Sequence, residues 1–160
     1  MSASPFSRQG PKEAGFRWPA EWEPHAATLL SWPHNRETWP GRLAAVERAF
    51  CEIVAALAPH EEVHINVKND AMQERVRARL EEHDGSLETS VRFLEIETDD
   101  AWVRDHGPIG VVKNEAAGVH DRALVDFSFN AWGGKYPPWQ HDDAVPRRRV
   151  AKADTCPPMH

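Results

Sequence analysis

The amino-acid sequence predicts an α/β fold, in which strands and helices alternate along the chain. Residues 61–67 alternate apolar and polar side chains, which is typical of a half-buried strand. Apolar side chains recur every three or four residues over 42–58, which indicates an amphipathic helix. Short apolar runs at 26–32, 91–96 and 122–127 predict further strands. Strands separated by helices in this way are the pattern of an α/β domain.

The remaining elements follow from turn and cap signals. Residues 16–25 are aromatic and rich in proline, so they predict a loop, and the strand at 26–32 ends before Pro33. Asp70 with Gln73 three residues later resembles a capping box and predicts a helix to about Leu80, ended by Gly85. The segment 130–139 predicts a long rigid loop.

Length, charge and cysteine content limit the class of protein. The chain has 160 residues and a net charge of −6, which disfavours nucleic acid and anionic membranes and favours cationic or neutral ligands. Two cysteines are too few for a disulfide scaffold. No signal-like segment and no run of about 18 apolar residues is visible, so we expect a soluble cytoplasmic protein.

We expect three parts along the chain. Residues 1–15 are rich in Ser, Pro and Gly and predict a disordered tail. Residues 16–146 carry the periodic patterns of a folded domain. After Val145 the sequence changes character, and residues 147–160 predict an aperiodic tail.

One polar segment between two predicted strands is the candidate functional site. Residues 98–108, Thr-Asp-Asp-Ala-Trp-Val-Arg-Asp-His-Gly-Pro, combine carboxylates, an arginine, a histidine and a tryptophan. Asp105, with Trp102 three residues before it, can hold a cation, because the carboxylate supplies charge and the indole a π face. The alternative is a solvated loop with an Asp–Arg pair.

Two other histidine-containing segments resemble sites. His60-Glu-Glu-Val-His64 matches the zinc-protease signature, but that chemistry needs a helix, and the alternation through Val67 predicts a strand. We therefore predict no metal site there, although a zinc hydrolase stays an alternative. His141-Asp142-Asp143 could form an acid–base pair, and we interpret it as surface charge in a loop.

Four motifs resemble the agmatine deiminase family, which includes the bacterial, Porphyromonas-type peptidyl-arginine deiminases. They are Trp18-Pro-Ala-Glu-Trp-Glu-Pro-His25, Ser31-Trp-Pro-His-Asn35, Asp99-Asp-Ala-Trp-Val-Arg-Asp-His-Gly-Pro108 and Phe129-Asn-Ala-Trp-Gly-Gly-Lys-Tyr136. The resemblance covers about residues 16–146. It implies a five-bladed α/β propeller (the pentein fold of the guanidine-modifying superfamily), of which this chain would hold about two blades.

The resemblance also implies a reaction and the residues that serve it. A cysteine thiolate attacks the guanidinium carbon, a histidine moves protons, ammonia leaves, and water releases a ureido product, without metal or organic cofactor. Asp105 would hold the guanidinium and Trp102 would form the wall beside it. Supporting roles would fall to other residues of the two motifs: Asp99, Asp100, Arg104, His106, Trp132, Gly133, Gly134 and Lys135.

The chain departs from the family pattern where catalysis would need it. The family's nucleophilic cysteine loop and its catalytic histidine motif have no match, since Cys51 lies on a predicted helix and Cys156 precedes two prolines. We therefore expect a truncated hydrolase, ended by a stop or frameshift near Arg147, that is inactive alone. A guanidine-binding module is the alternative. The preference for agmatine or peptidyl-arginine, and whether full-length relatives are homo-oligomers, stay open.

Overall fold

A three-stranded parallel sheet with two crossover helices forms the first half of the protein. The computed structural model describes residues 10–83, 90–114 and 120–153. The sheet order is β1-β2-β3, with both strand pairs parallel. The predicted strands and helices of this half are confirmed, with these bounds: β1 Ala27–Ser31, α1 Leu43–Leu57, β2 Glu62–Val67, α2 Asp70–His83 and β3 Val91–Glu95.

The second half contains an antiparallel pair and four short helical segments. Strands β4 and β5 pair from Ile109 opposite Val125 to Asn114 opposite His120, and Arg17 adds an isolated bridge to Val112. The strand predicted at 122–127 is thereby confirmed as β5, although it begins and ends two residues earlier, and the apolar residues 109–112 after the polar segment lie in β4. The bounds are α3 Val103–His106, β4 Ile109–Asn114, β5 His120–Val125, α4 Ala131–Gly134, α5 Gln140–Asp143 and α6 Val145–Ala153.

The apolar core lies between the parallel sheet and its two helices. Each element contributes the side chains that its periodicity predicts. From β2 come Val63, Ile65 and Val67; from α1 Cys51 and Val54; from α2 Met72, Val76 and Leu80; and Trp32 closes one end. Fully burying an aliphatic side chain contributes roughly 1.5–3 kcal/mol, so this cluster is the main source of stability in the first half.

The prediction of a half-buried β2 strand is wrong, because the strand is buried on both faces. His64 and Asn66 occupy the face opposite the apolar core and are nearly inaccessible. Asn66 Nδ2 donates to Ser31 Oγ at 3.1 Å, and His64 Nε2 lies 2.9 Å from Glu62 Oε2. Arg149 of α6 also bonds the His64 ring, so α6 covers the face that alternation alone assigned to solvent.

Asn69, not Asp70, caps the start of α2. Its Oδ1 accepts the Met72 amide at 3.0 Å, which satisfies one of the free N–H groups at a helix start. The helix therefore begins at Asp70, one residue earlier than the predicted capping box implies. Its predicted end at Gly85 lies outside the described residues.

Helix α6 occupies the first half of the segment that we expected to be aperiodic. Val145 and Pro146 are fully buried at its start. Arg147 pairs with Asp126 at 3.0 Å and Asp143 at 2.7 Å, and Arg148 donates to the Glu97 carbonyl at 3.0 Å. These buried and polar contacts hold a helix that the weak periodicity did not indicate.

The two predicted tails lie partly outside the described residues. Residues 1–9 and 154–160 belong to that part, while Pro11–Gly15 forms a turn in which the Phe16 amide donates to the Pro11 carbonyl at 2.9 Å. Within the described ranges, no helix has both the length and the apolar character needed to cross a bilayer.

Candidate functional site

The loops that follow β1 and β3 meet at one edge of the parallel sheet. Carboxyl ends of parallel strands lie at the same edge, where α/β proteins commonly place their sites. Asp100, after β3, accepts hydrogen bonds from Thr38 Oγ1 and, at 3.5 Å, from Asn35 Nδ2, both after β1. Its other oxygen accepts the Ala101 amide at 2.7 Å. Asp100 therefore joins loops about sixty positions apart in the sequence.

A buried carboxylate in α5 holds the loop after β3. Asp142 Oδ1 accepts the backbone amides of Asp99 at 2.8 Å and Asp100 at 3.2 Å. In return, Asp99 Oδ2 accepts the His141 amide at 2.8 Å. The interpretation of His141–Asp143 as surface charge is wrong for Asp142, because it is almost inaccessible. Burial raises the pKa of Asp142 to about 6.

His106 lies in the same buried layer as Asp142. Its Nε2 is 3.7 Å from Asp142 Oδ1, which exceeds hydrogen-bond distance, and its ring centroid is 5.9 Å from that of Phe129. Neither ring nitrogen has a partner of acceptable geometry in the described part of the chain. Burial lowers the pKa of His106 to about 4, so the imidazole is neutral at pH 7.

Asp105 and Trp102 lie on the one-turn helix α3 and just before it. The Asp105 carboxylate is exposed, and its Oδ1 accepts the indole N–H of Trp132 at 3.3 Å. The Trp102 side chain is 38% exposed. Its ring centroid is 5.5 Å from that of Trp39 and 6.3 Å from that of Trp132. The motif thus presents a carboxylate next to a group of three indoles.

A cavity of about 620 Å³ opens beside these indoles. Its wall comes from segments 35–38, 99–102 and 129–142, and it includes four acidic side chains, Glu37, Asp99, Asp100 and Asp142, with Lys135 as the one basic side chain. Asp105 is not part of this wall, but Trp132 is, and it bonds Asp105. An acid-rich wall with aromatic faces suits an organic cation.

The chain is similar to known deiminases in sequence and in fold. Residues 17–160 match the family described as Porphyromonas-type peptidyl-arginine deiminase. The chain belongs to this family. The agmatine deiminase of Pseudomonas aeruginosa (strain LESB58) is 41% identical over 142 residues, which are 86% of this chain and 36% of that protein. The agmatine deiminase of Stutzerimonas stutzeri (strain A1501) is 36% identical over 150 residues, or 91% of this chain and 38% of that protein.

Solved structures of deiminases share the fold. The agmatine deiminase of Enterococcus faecalis superposes with a TM-score of 0.74 at 29% identity, over 91% of this chain and 37% of that one. A substrate-bound C. jejuni agmatine deiminase, in which a cysteine is replaced by serine, superposes with a TM-score of 0.69 at 24% identity. The match covers 88% of this chain and 38% of that one. The chain therefore has the mixed α/β fold of the deiminases and spans a little over a third of the relatives it matches. The number of propeller blades stays a prediction.

The deiminase motifs do not all face the cavity. Trp102, Asp99, Trp132 and Lys135 line it. Arg104 does not, because its guanidinium pairs with Glu21 at 3.2 Å and both side chains are more than four-fifths exposed. In the part of the chain that the structure describes, no three His, Cys, Asp or Glu side chains are grouped to hold a metal ion.

Cys51 is unsuited to act as a deiminase nucleophile. The thiol is buried in the apolar core between α1 and α2, and it is not among the groups that line the cavity. Burial raises its pKa, which disfavours the reactive thiolate. Cys156 lies outside the described residues.

Sequence reasoning missed the groups that build the cavity from outside the central motif. Thr38, Phe129, Tyr136 and Asp142 belong to this set. Phe129 and Tyr136 lie within a motif that carries the family resemblance, and Thr38 lies three residues after another, so the resemblance was the available signal for these three. Asp142 stood in the segment that we interpreted as surface charge, because a buried acceptor of backbone amides follows no periodic pattern.

Proposed function

We propose that this chain forms the guanidinium-holding side of an agmatine deiminase-type site. The observation that carries the proposal is the Asp105 carboxylate, bonded to Trp132 Nε1 at 3.3 Å beside an acid-rich aromatic cavity that Trp102 lines. A carboxylate attracts a guanidinium through charge-assisted hydrogen bonds, while an indole face stabilises the cation without competing for those bonds. The relatives named as agmatine deiminases support the choice of ligand.

The proposed reaction of the whole enzyme is hydrolysis of agmatine to N-carbamoylputrescine and ammonia. A thiolate forms a bond to the guanidinium carbon, the C–N bond to the departing ammonia breaks, and water then cleaves the C–S bond. The described residues supply the cation-holding side of this reaction. They supply no exposed thiol at the cavity, since Cys51 is in the core.

We therefore propose that residues 1–160 bind guanidines but do not convert them. A cation held from one side by exposed groups should bind weakly, with Kd on the order of millimolar. The net charge of −6 favours the dicationic agmatine over neutral molecules. Peptidyl-arginine is a second candidate ligand, because the matching family is described by that activity.

Isothermal titration of the 160-residue chain with agmatine, together with a colorimetric ureido assay, tests this function. We expect saturable heat and no ureido product. The Asp105→Asn variant keeps the side-chain shape but removes the charge, and we expect it to bind at least tenfold more weakly. The absence of heat at millimolar agmatine, or equal binding by Asp105→Asn, would contradict the proposal.

The same titration with an N-acetylated, C-amidated arginine separates the two ligands. That molecule keeps the guanidinium and lacks the free amine of agmatine. If the acid-rich wall holds the distal amine, agmatine should bind more tightly. Tighter binding of the capped arginine would favour peptidyl-arginine as the ligand.

A further inference from the structure

The backbone of α4 is left-handed at four successive residues. The φ angles are 49° at Ala131, 56° at Trp132, 87° at Gly133 and 77° at Gly134. Glycine adopts this region freely, but L-residues are disfavoured there because Cβ approaches the following carbonyl. A non-glycine residue with this backbone indicates that the surrounding structure imposes it, which happens most often at binding sites.

Local hydrogen bonds hold the left-handed turn. Asn130 Oδ1 accepts the Gly133 amide at 2.8 Å, and the Asn130 carbonyl accepts the Gly134 amide at 2.6 Å. The Lys135 amide donates to the Ala131 carbonyl at 3.0 Å, and Ala131 itself is buried. The turn is therefore a defined structure that fixes the direction in which Trp132 leaves the backbone.

Burial does not explain the position of Trp132, because its side chain is 49% exposed. Its ring meets three aromatic neighbours edge-to-face, with centroids 5.4 Å from Phe129, 5.8 Å from Tyr136 and 6.3 Å from Trp102. These contacts orient the ring, and its N–H then reaches Asp105 Oδ1. The Trp132 indole nitrogen thus points to Asp105, which is the carboxylate of residues 98–108 that does not line the cavity.

The Trp132 indole N–H is a hydrogen-bond partner of the exposed Asp105 carboxylate. Within residues 10–83, 90–114 and 120–153, no other side chain donates a hydrogen bond to the Asp105 carboxylate or forms an ion pair with it. An exposed aspartate on a one-turn helix would otherwise rotate about both side-chain torsions. Ordering such a side chain when a ligand binds lowers affinity, and a pre-formed contact removes that loss.

We propose that Trp132 is a positioning residue, whose indole N–H fixes one oxygen of Asp105 so that the other faces a guanidinium. This inference rests on the proposed guanidine-binding function. It assigns the Trp132 ring a second task, that of the aromatic cavity wall. The two tasks are separable, since phenylalanine can form a wall but cannot donate.

The Trp132→Phe variant removes the donor and keeps an aromatic ring. We expect agmatine affinity to fall about three- to tenfold with no change in the thermal unfolding midpoint. Trp22→Phe is the matched control, because Trp22 is 89% exposed and lies outside the cavity wall, and its affinity should be that of the wild type. Putrescine, which lacks the guanidine, should bind equally to wild type and Trp132→Phe.

A ligand-free readout keeps the contact testable by itself. In the ¹H–¹⁵N NMR spectrum, the indole N–H resonances of the seven tryptophans are separate from the backbone amides. The resonance that disappears in Trp132→Phe belongs to Trp132. We expect Asp105→Asn to move that resonance upfield, because a charge-assisted acceptor is lost. Asp121→Asn, on an exposed residue of β5, should leave it in place.

The outcomes separate this inference from the proposed function. A wild-type affinity in Trp132→Phe, or an unmoved Trp132 resonance in Asp105→Asn, overturns the positioning role while guanidine binding stands. If the wild type binds no agmatine, the proposed function is wrong, and so is the part of this inference that concerns guanidine binding. The Asp105→Asn spectrum then decides the Trp132–Asp105 contact.

Discussion

The two halves of this protein are held together by different forces. In the first, α1 and α2 pack on β2 through a cluster of aliphatic side chains, with Ile65 and Val54 wholly inaccessible. In the second, the cavity loops are joined by carboxylates that accept backbone amides, with Asp142 at the centre. Aliphatic packing is non-directional and tolerates repacking, whereas an amide–carboxylate contact needs one geometry.

This difference separates stability from binding. Loss of a packed side chain should lower the free energy of unfolding and leave the cavity of the folded protein unchanged. Loss of a carboxylate that orders the loops should affect both, because the same residues line the cavity. Substitutions in the two halves can therefore be compared by how far stability and agmatine affinity change together.

Ile65→Ala should have the largest effect on stability. Ile65 lies in the middle of the central strand, and truncation leaves a cavity that typically costs about 2–5 kcal/mol. Urea unfolding followed by circular dichroism measures this loss. Ile53→Ala makes the same change on the exposed face of α1, where the side chain is 42% exposed, and should cost much less. Equal losses would refute the assignment of the core to this cluster.

Asp142→Ala should be next in size and should reduce binding as well. It removes the acceptor of the Asp99 and Asp100 amides, and leaving such groups without a partner costs about 1–3 kcal/mol. Agmatine affinity measured on folded protein should fall with it, because Asp99 and Asp100 line the cavity. Asp142→Asn keeps a side-chain oxygen acceptor and should retain most of both properties. Unchanged affinity in Asp142→Ala would show that the loop is ordered by other contacts.

The buried His106–Asp142 pair predicts opposite pH dependences in two variants. Burial raises the pKa of Asp142 from 3.8 to about 6 and lowers that of His106 from 6.5 to about 4. Between pH 4 and 6, folding therefore takes up one proton at Asp142 and releases one at His106, so the two effects cancel in the wild type. Removal of either group should therefore reveal the pH dependence that the other group gives to the free energy of unfolding.

Two variants measure each contribution by itself. In Asp142→Asn only His106 remains, and the free energy of unfolding should rise with pH between about 4 and 6.5, by up to about 1.4 kcal/mol per unit. In His106→Gln only Asp142 remains, and the free energy of unfolding should fall as pH rises from about 4 to 6. Urea unfolding at several pH values gives both slopes, and slopes of the same sign would contradict the buried pair.

The same division explains how far the sequence could predict the structure. Periodicity predicted α1 and β2, because apolar burial repeats with the backbone, and short apolar runs predicted β1, β3 and β5. Periodicity wrongly assigned β2 one exposed face, because Arg149, which contacts His64 on that face, is 85 positions away in the sequence. The Asp142 contacts also span more than forty positions. No local pattern encodes such pairs, so the motif residues Asp105 and Trp102 could be named while the groups that hold their loop could not.

Arg104→Ala should have the smallest effect, although Arg104 stands next to Asp105 in the motif. Its guanidinium pairs with Glu21 in solvent, where water and salt screen the attraction and the two long side chains lose freedom on pairing. We expect no measurable change in the unfolding midpoint or in agmatine affinity. A large loss of affinity would mean that Arg104 turns toward the ligand, and the site would then be built from the whole motif. Wild-type behaviour would instead confine binding to the face of α3 that carries Asp105, where Trp132 meets it.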